Sequence, residues 1–276
     1  MCAHHATARL HPQERPVTKR DARVIRHGRV MLVHSHHSAA RLWGLWLIED
    51  HGDKHRTAPR NYGARPEGVV LHFADLRPDE IVRRNGVLCT SLARTVVDMA
   101  RLLTPPHALA VADSALRIHN LRPDVLVTAA ANRRGAGTAN ARWVARYADA
   151  RSGSALESEA RAHLIQAKIG RTKLQVRLRP DGHPYDLGVE GTRVLIEIDG
   201  GFHRDALRQN SDAEDGVDAS LEGHEVLRFT SKHVRRRTAW FIAVVKAKVS
   251  EHRATALRDQ AKRRAARSRR RQEEDA

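Results

Sequence analysis

Three carboxylates and a histidine are spaced along one stretch in a way that suits holding a divalent cation. The stretch is His183-Pro-Tyr-Asp-Leu-Gly-Val-Glu-Gly-Thr-Arg-Val-Leu-Ile-Glu-Ile-Asp-Gly-Gly-Phe-His203. Side chains alternate across a strand, so Val194, Ile196 and Ile198 share one face and Leu195, Glu197 and Asp199 the other. Two carboxylates on one face of an otherwise apolar strand repel each other unless a cation neutralises them. Asp186 can reach the same point from the neighbouring strand across a Glu190-Gly191 turn. Hard oxygen donors of this kind suit Mg²⁺, with Mn²⁺ as a substitute. Upstream, Glu157 could orient a bound water. Downstream, His203 follows Gly200-Gly201 and could act as donor or proton carrier at a phosphate. Such a set supports phosphodiester hydrolysis, which needs an activated water and a sink for developing negative charge.

Each residue also has a structural account. Ser154-Ala-Leu-Glu157 is a capping box, so Glu157 could simply close a helix N-terminus. Asp186 could be a turn residue, and Asp199-Gly200 is a turn dipeptide. Glu197 is hardest to explain this way, because mid-strand charge between apolar neighbours needs an exposed edge.

Positioning these groups requires a compact α/β unit after a linker at Arg151-Ser-Gly-Ser154. The pattern predicts a helix over 155–168 with Leu156, Ala160 and Leu164 aligned, and a strand at Leu174–Leu178. After the carboxylate hairpin come an acid-rich loop or helix from Asp205 to Ser220, a strand at Glu225–Phe229 and a closing helix from Thr238 to Val249. That last helix is expected to turn Trp240, Val244 and Ala247 inward.

The first half reads as a mixed α+β domain. Residues 1–29 form a polar, basic arm without a clear period, expected to be poorly ordered or a short helix. Val30–Val33 is a strand that leads into a helix capped by Ser35 or Ser38 and ended at Gly44. Residues 50–68 read as a loop and Val69–Phe73 as a strand. Ile81–Arg84, Asn85-Gly86 and Val87–Thr90 form a hairpin with a type I′ signal. Ser91 then caps a helix with Leu92, Val96, Met99 and Leu103 on one face. Further helices are expected at 107–120, from Pro123, and at 139–149. His34, His36, His37, His51 and His55 match no zinc spacing and have no nearby Cys, so solvated or helix-capping roles are expected.

The totals frame this. The 276 residues carry a formal charge of +17, with 41% hydrophobic residues. That balance points to a polyanionic partner, nucleic acid first, without distinguishing DNA from RNA, and no apolar run approaches a membrane span. The start has no apolar leader core, and Cys2 and Cys89 make no disulfide framework, so a reducing cytoplasm fits. From Lys262 to Arg271 seven residues are basic, giving a tail expected to be disordered or helical on phosphate.

Glu157, Asp186, Glu197-Ile-Asp199-Gly-Gly-Phe-His203 and Gly223-His-Glu-Val-Leu-Arg-Phe-Thr230 together resemble the DUF559 family, relatives of very-short-patch-repair endonucleases in the PD-(D/E)XK superfamily. The resemblance covers about 150–250. It implies a Mg²⁺-dependent DNA endonuclease with a central mixed sheet flanked by helices. Asp186, Glu197 and Asp199 would bind metal, with Glu157 and His203 assisting. The superfamily's motif lysine would fall at Asp199, and a family arginine at Val217. Leu32–Leu45 and Thr90-Ser-Leu-Ala-Arg-Thr-Val-Val-Asp-Met-Ala100 resemble AbiEi-type antitoxin regulators, over about 25–130, although the first 29 residues show no winged helix-turn-helix. This implies the alternative of a DNA-binding antitoxin, paired with a cognate toxin, whose nuclease fold is inactive. The expected plan is therefore an arm (1–29), an antitoxin-like domain (30–150), an endonuclease-like domain (151–252) and a charged tail (253–276).

Overall fold

The computed structural model describes residues 14–16, 32–200 and 223–274. The chain is a mixed α/β protein that divides into two compact units, Met1–Ala150 and Arg151–Ala276. His203, Val217 and the expected Asp205–Ser220 segment lie outside the described residues, as does most of the arm.

Unit 1 is a six-stranded mixed sheet and a helical layer. Its strands are β1 (Glu14–Pro16), β2 (Val33–His34), β3 (Lys54–Ala58), β4 (Val69–Phe73), β5 (Ile81–Arg84) and β6 (Val87–Thr90), in the order β1-β5-β6-β2-β3-β4. The β5–β6 hairpin forms as its sequence predicts, with Asn85 at φ 48° and Gly86 at φ 80°, the two positive values that a type I′ turn requires. Two expectations are corrected. Residues 14–16 of the supposed arm form a strand paired antiparallel to β5. The supposed loop at 50–68 contains β3, paired antiparallel to β2 and parallel to β4. The inward side chains of β3 include His55 and Thr57, both buried, so the strand carries little of the apolar alternation that usually marks one.

The helices of unit 1 are α1 (His36–Trp43), α2 (Leu92–Leu102), α3 (Pro105–His119), α4 (Pro123–Ala131) and α5 (Thr138–Tyr147). Pro105-Pro106 closes the run before it and also opens α3, because proline is tolerated in the first helical turn. Trp43, Met99, Leu109, Val111, Leu126 and Val144 are fully buried among these helices. Gly44 ends α1 in the left-handed region at φ 68°. Trp43 donates its indole N–H to the Thr90 carbonyl at 3.0 Å, tying α1 to the end of β6.

Unit 2 has α6 (Ala155–Gln166), β7 (Thr172–Val176), β8 (Tyr185–Val189), β9 (Val194–Asp199), β10 (Glu225–Thr230), α7 (Ser231–Arg236) and α8 (Thr238–Glu274). The strands lie in the order β10-β9-β8-β7, with β10 parallel to β9 and the other pairs antiparallel. Val194, Ile196 and Ile198 enter the main core with Leu156, Ala160, Leu164 and Phe229, whereas Leu195 packs with Tyr185 on the other side. Helix α8 is inward at Phe241, Val245 and Val249, while Trp240 and Ala247 are exposed. Of the expected three only Val244 packs against the core, half-buried beside the Phe241–Val245–Val249 stripe. Helix α8 also runs without a break to Glu274, so no boundary falls at 252.

Candidate functional site

The β8–β9 register runs through Gly188↔Leu195 and Leu187↔Ile196. Beyond it the Asp186 carboxylate takes a backbone role. Its Oδ2 accepts the Ile198 N–H at 2.7 Å, leaving Oδ1 as the atom for other work. Asp186 is largely shielded from water. Burial, then the Glu157 charge, and lastly Glu197, push its carboxyl up to about 7, against the pull of the Ile198 N–H. A carboxylate in this position favours a proton or a cation.

Glu157 is buried at the first turn of α6. The N-cap Ser154 hydroxyl accepts the Glu157 N–H at 3.2 Å, and Glu157 Oε2 accepts the Gly153 N–H at 2.7 Å. The structural account of Glu157 is thus real, and so is its approach to Asp186. The Gln175 amide also donates to Glu157 Oε2 at 3.3 Å. Gln175 holds φ 52° inside β7, an unusual conformation for a non-glycine residue that strains the backbone. Glu197 is half-buried and pairs with Arg228 of β10 at 2.6 Å, its direct neighbour in the parallel register. Asp199 ends β9 opposite Thr230 and is half-buried.

The structure therefore brings Glu157, Asp186 and Glu197 into one electrostatic neighbourhood, with Asp199 two residues further along the same strand. These carboxylates do not close into a tight three-ligand cluster among the described residues. Mg²⁺ does not need one, since it commonly keeps several waters and takes one or two carboxylates. Sequence reasoning missed Gln175 and Arg228. The signal for Arg228 was its place in Glu225–Thr230, directly beside Glu197. Gln175 had no signal short of its backbone conformation. A cavity of about 650 Å³ lined by Gly191, Arg193, Gly223, His252 and Arg263 lies at the turn end of β9, away from Asp199, so cavity and carboxylates do not coincide.

In unit 1 the Arg94 and Asp98 of the Thr90–Ala100 motif are buried and joined. Arg94 Nε donates to both Asp98 oxygens at 2.9 and 2.8 Å, and its Nη1 meets Glu80 at 3.1 Å. Arg133 also pairs with Glu80. His36 and His55 contradict the expectation of solvated or capping roles, whereas His51 is exposed as expected. His36 and His55 are buried and, with His72, put one ring nitrogen each within 4.8 Å of the others.

No helix among the described residues is long and apolar enough to cross a membrane. Comparison with known proteins gives two matches from two strains of Mycobacterium tuberculosis, each an uncharacterized protein 39% identical over 143 residues. The match takes in 46% of this chain, and the chain spans about half (53%) of the length of these curated relatives. No family model and no solved structure matches the chain.

Proposed function

We propose that unit 2 is a Mg²⁺-dependent DNA endonuclease hydrolysing phosphodiester bonds. The observation that carries this is Asp186, pushed up to about 7 by burial and by Glu157 and Glu197 at the end of the β8–β9 pairing. Such an arrangement raises the free energy of the folded state at neutral pH unless a proton or a cation joins it.

The donor set fits a hard divalent ion. Asp186 Oδ1 and Glu197 would hold it, with Asp199 as the further carboxylate of β9. When bound, the ion supplies a polarised phosphoryl oxygen and a water of lowered pKa. The Ile198 N–H holds Asp186 Oδ2, which leaves Oδ1 to meet the ion. Gly153 and Gln175 fix Glu157, which can then hold the attacking water and receive its proton. Arg228, paired with Glu197, would add a positive charge beside the bound phosphate. His203, two residues past Gly201, would carry the proton to the leaving oxygen. The +17 charge supplies the attraction to DNA.

The test uses supercoiled, mismatched and single-stranded DNA with Mg²⁺, Mn²⁺ or EDTA, beside Glu197→Ala and Asp186→Ala. Cleavage that requires the metal and is lost in both variants supports the proposal. DNA binding without cleavage of any substrate overturns it and favours the antitoxin alternative, for which a cognate toxin would then be sought.

A further inference from the structure

We propose that His36, His55 and His72 form a three-histidine site for a divalent transition-metal ion of the zinc class, within unit 1 and independent of the carboxylates of unit 2. The three residues come from separate elements. His36 opens α1, His55 lies on β3 and His72 on β4. In the parallel register Thr57 pairs with His72, so His72 sits on the same sheet face as Thr57 and His55. His55 Nδ1 and His72 Nε2 are 2.9 Å apart. The His36 and His72 rings stack at 3.5 Å between centroids.

Three imidazoles packed together are an awkward way to fill a core. Phenyl or aliphatic side chains would fill the same space without polar nitrogens to satisfy. The backbone is also bent to make the cluster. His36 holds φ 48°, in the left-handed region, while its Nδ1 is fixed by the Ser35 hydroxyl at 3.0 Å. Backbone strain of this kind persists only where the surroundings enforce it. The His37 ring lies 4.8 Å from that of His55, and its Nδ1 is buried without a hydrogen bond.

A neutral imidazole keeps a lone pair to give to a metal ion. Imidazole nitrogens without thiolates select Zn²⁺ and its first-row neighbours over Mg²⁺. Tetrahedral coordination at 2.0–2.1 Å sets ligand nitrogens about 3.4 Å apart. The 2.9 Å His55–His72 contact would open by roughly half an ångström on that figure, and separations in the set of up to 4.8 Å would close by as much as about 1.4 Å. Three protein ligands would leave a fourth position for water. The ion would clamp the edge strand β4 and its neighbour β3 to α1.

The experiment loads the purified full chain with Zn²⁺, dialyses it against metal-free buffer and counts bound zinc. X-ray absorption on the zinc-loaded chain then reads its ligands, and Co²⁺ loading reads its geometry. One retained ion with imidazole ligands and a tetrahedral Co²⁺ spectrum is expected. His72→Gln, on the edge strand, should weaken Zn²⁺ binding by at least about 100-fold, more than removal of an outer-shell partner costs. Asp186→Ala should leave the retained ion in place, which separates this site from the proposed nuclease. Loss of all zinc on dialysis of the wild-type chain overturns the proposal. So does an absorption spectrum without imidazole ligands, or a folded His72→Gln chain that binds zinc as the wild type does.

Discussion

In unit 1 Arg94 lies between Glu80 and Asp98, and Arg133 closes on Glu80 from another element. In unit 2 Asp186 lies among Glu157 and Glu197, and its carboxylate accepts the backbone N–H of Ile198. Both groups are shielded from water, but the first is balanced internally and the second is not. A buried charge that is already paired needs nothing more and contributes by fixing which elements meet. A buried carboxylate beside like charges gains most from an added proton or cation. The difference separates a set of charges that holds a fold from one that is arranged to receive a ligand. Unit 2 offers an internal control, since Arg235 pairs with buried Glu159 at 2.8 Å and joins α7 to α6. Glu157 and Glu159, two residues apart on one helix, thus fall on opposite sides of the distinction.

The comparison can be broken first at Arg94. Arg94→Ala leaves Glu80 and Asp98 buried without their shared cation and should cost about 3–5 kcal/mol in urea unfolding. A loss under 1 kcal/mol would mean that the network is not what holds α2 to the sheet. Asp186→Asn should act in the opposite sense. The Asp186 carboxyl binds its proton more tightly folded, at about 7, than at its ordinary value of 3.8. The metal-free protein is therefore favoured by this group below about pH 4, and that contribution disappears as pH rises through 7. That difference in proton affinity corresponds to roughly 4 kcal/mol. Asp186→Asn should flatten this part of the stability–pH curve, and a curve unchanged by the substitution would show that Asp186 is not perturbed.

The functional arm of the comparison predicts a somewhat smaller free-energy effect. Glu197→Ala should reduce Mg²⁺-dependent plasmid cleavage by more than about 100-fold, equivalent to about 2.7 kcal/mol, while leaving the unfolding midpoint near that of the wild type. Unfolding of the variant at much lower urea would return Glu197 to a structural role with Arg228. The smallest effect is expected at Ser154→Ala. Loss of this N-cap should cost about 1 kcal/mol and reduce cleavage only through the placement of Glu157. Equal losses from Ser154→Ala and Glu197→Ala would erase the distinction between a residue that positions and one that binds.

The parts of this protein legible in its sequence are those whose physics is local. Asn85-Gly86 dictates its hairpin because few residue pairs accept two positive φ values. Ser154 dictates a helix start by accepting the Glu157 N–H, and the Glu157 carboxylate reaches back to the Gly153 N–H one residue before the cap. Alternation along Val194–Asp199 assigns the two faces of β9 and thereby puts Glu197 and Asp199 on one side. Local patterns are silent where the buried face is polar, as in β3 with His55 and Thr57. They are ambiguous where two apolar stripes adjoin, as on α8, where packing against the sheet selected Phe241, Val245 and Val249.

Tertiary structure alone decided which distant groups share a neighbourhood. The parallel placement of β10 beside β9 sets Arg228 against Glu197. A left-handed residue in β7 brings the Gln175 amide to Glu157. The pairing of β3 with β4 gathers His36, His55 and His72 from three elements. Sequence by itself determined the carboxylates, the strand that carries them and the excess positive charge. It could not determine their partners, because burial and electrostatic coupling depend on distances through space, and chain spacing does not encode those distances once strands cross over.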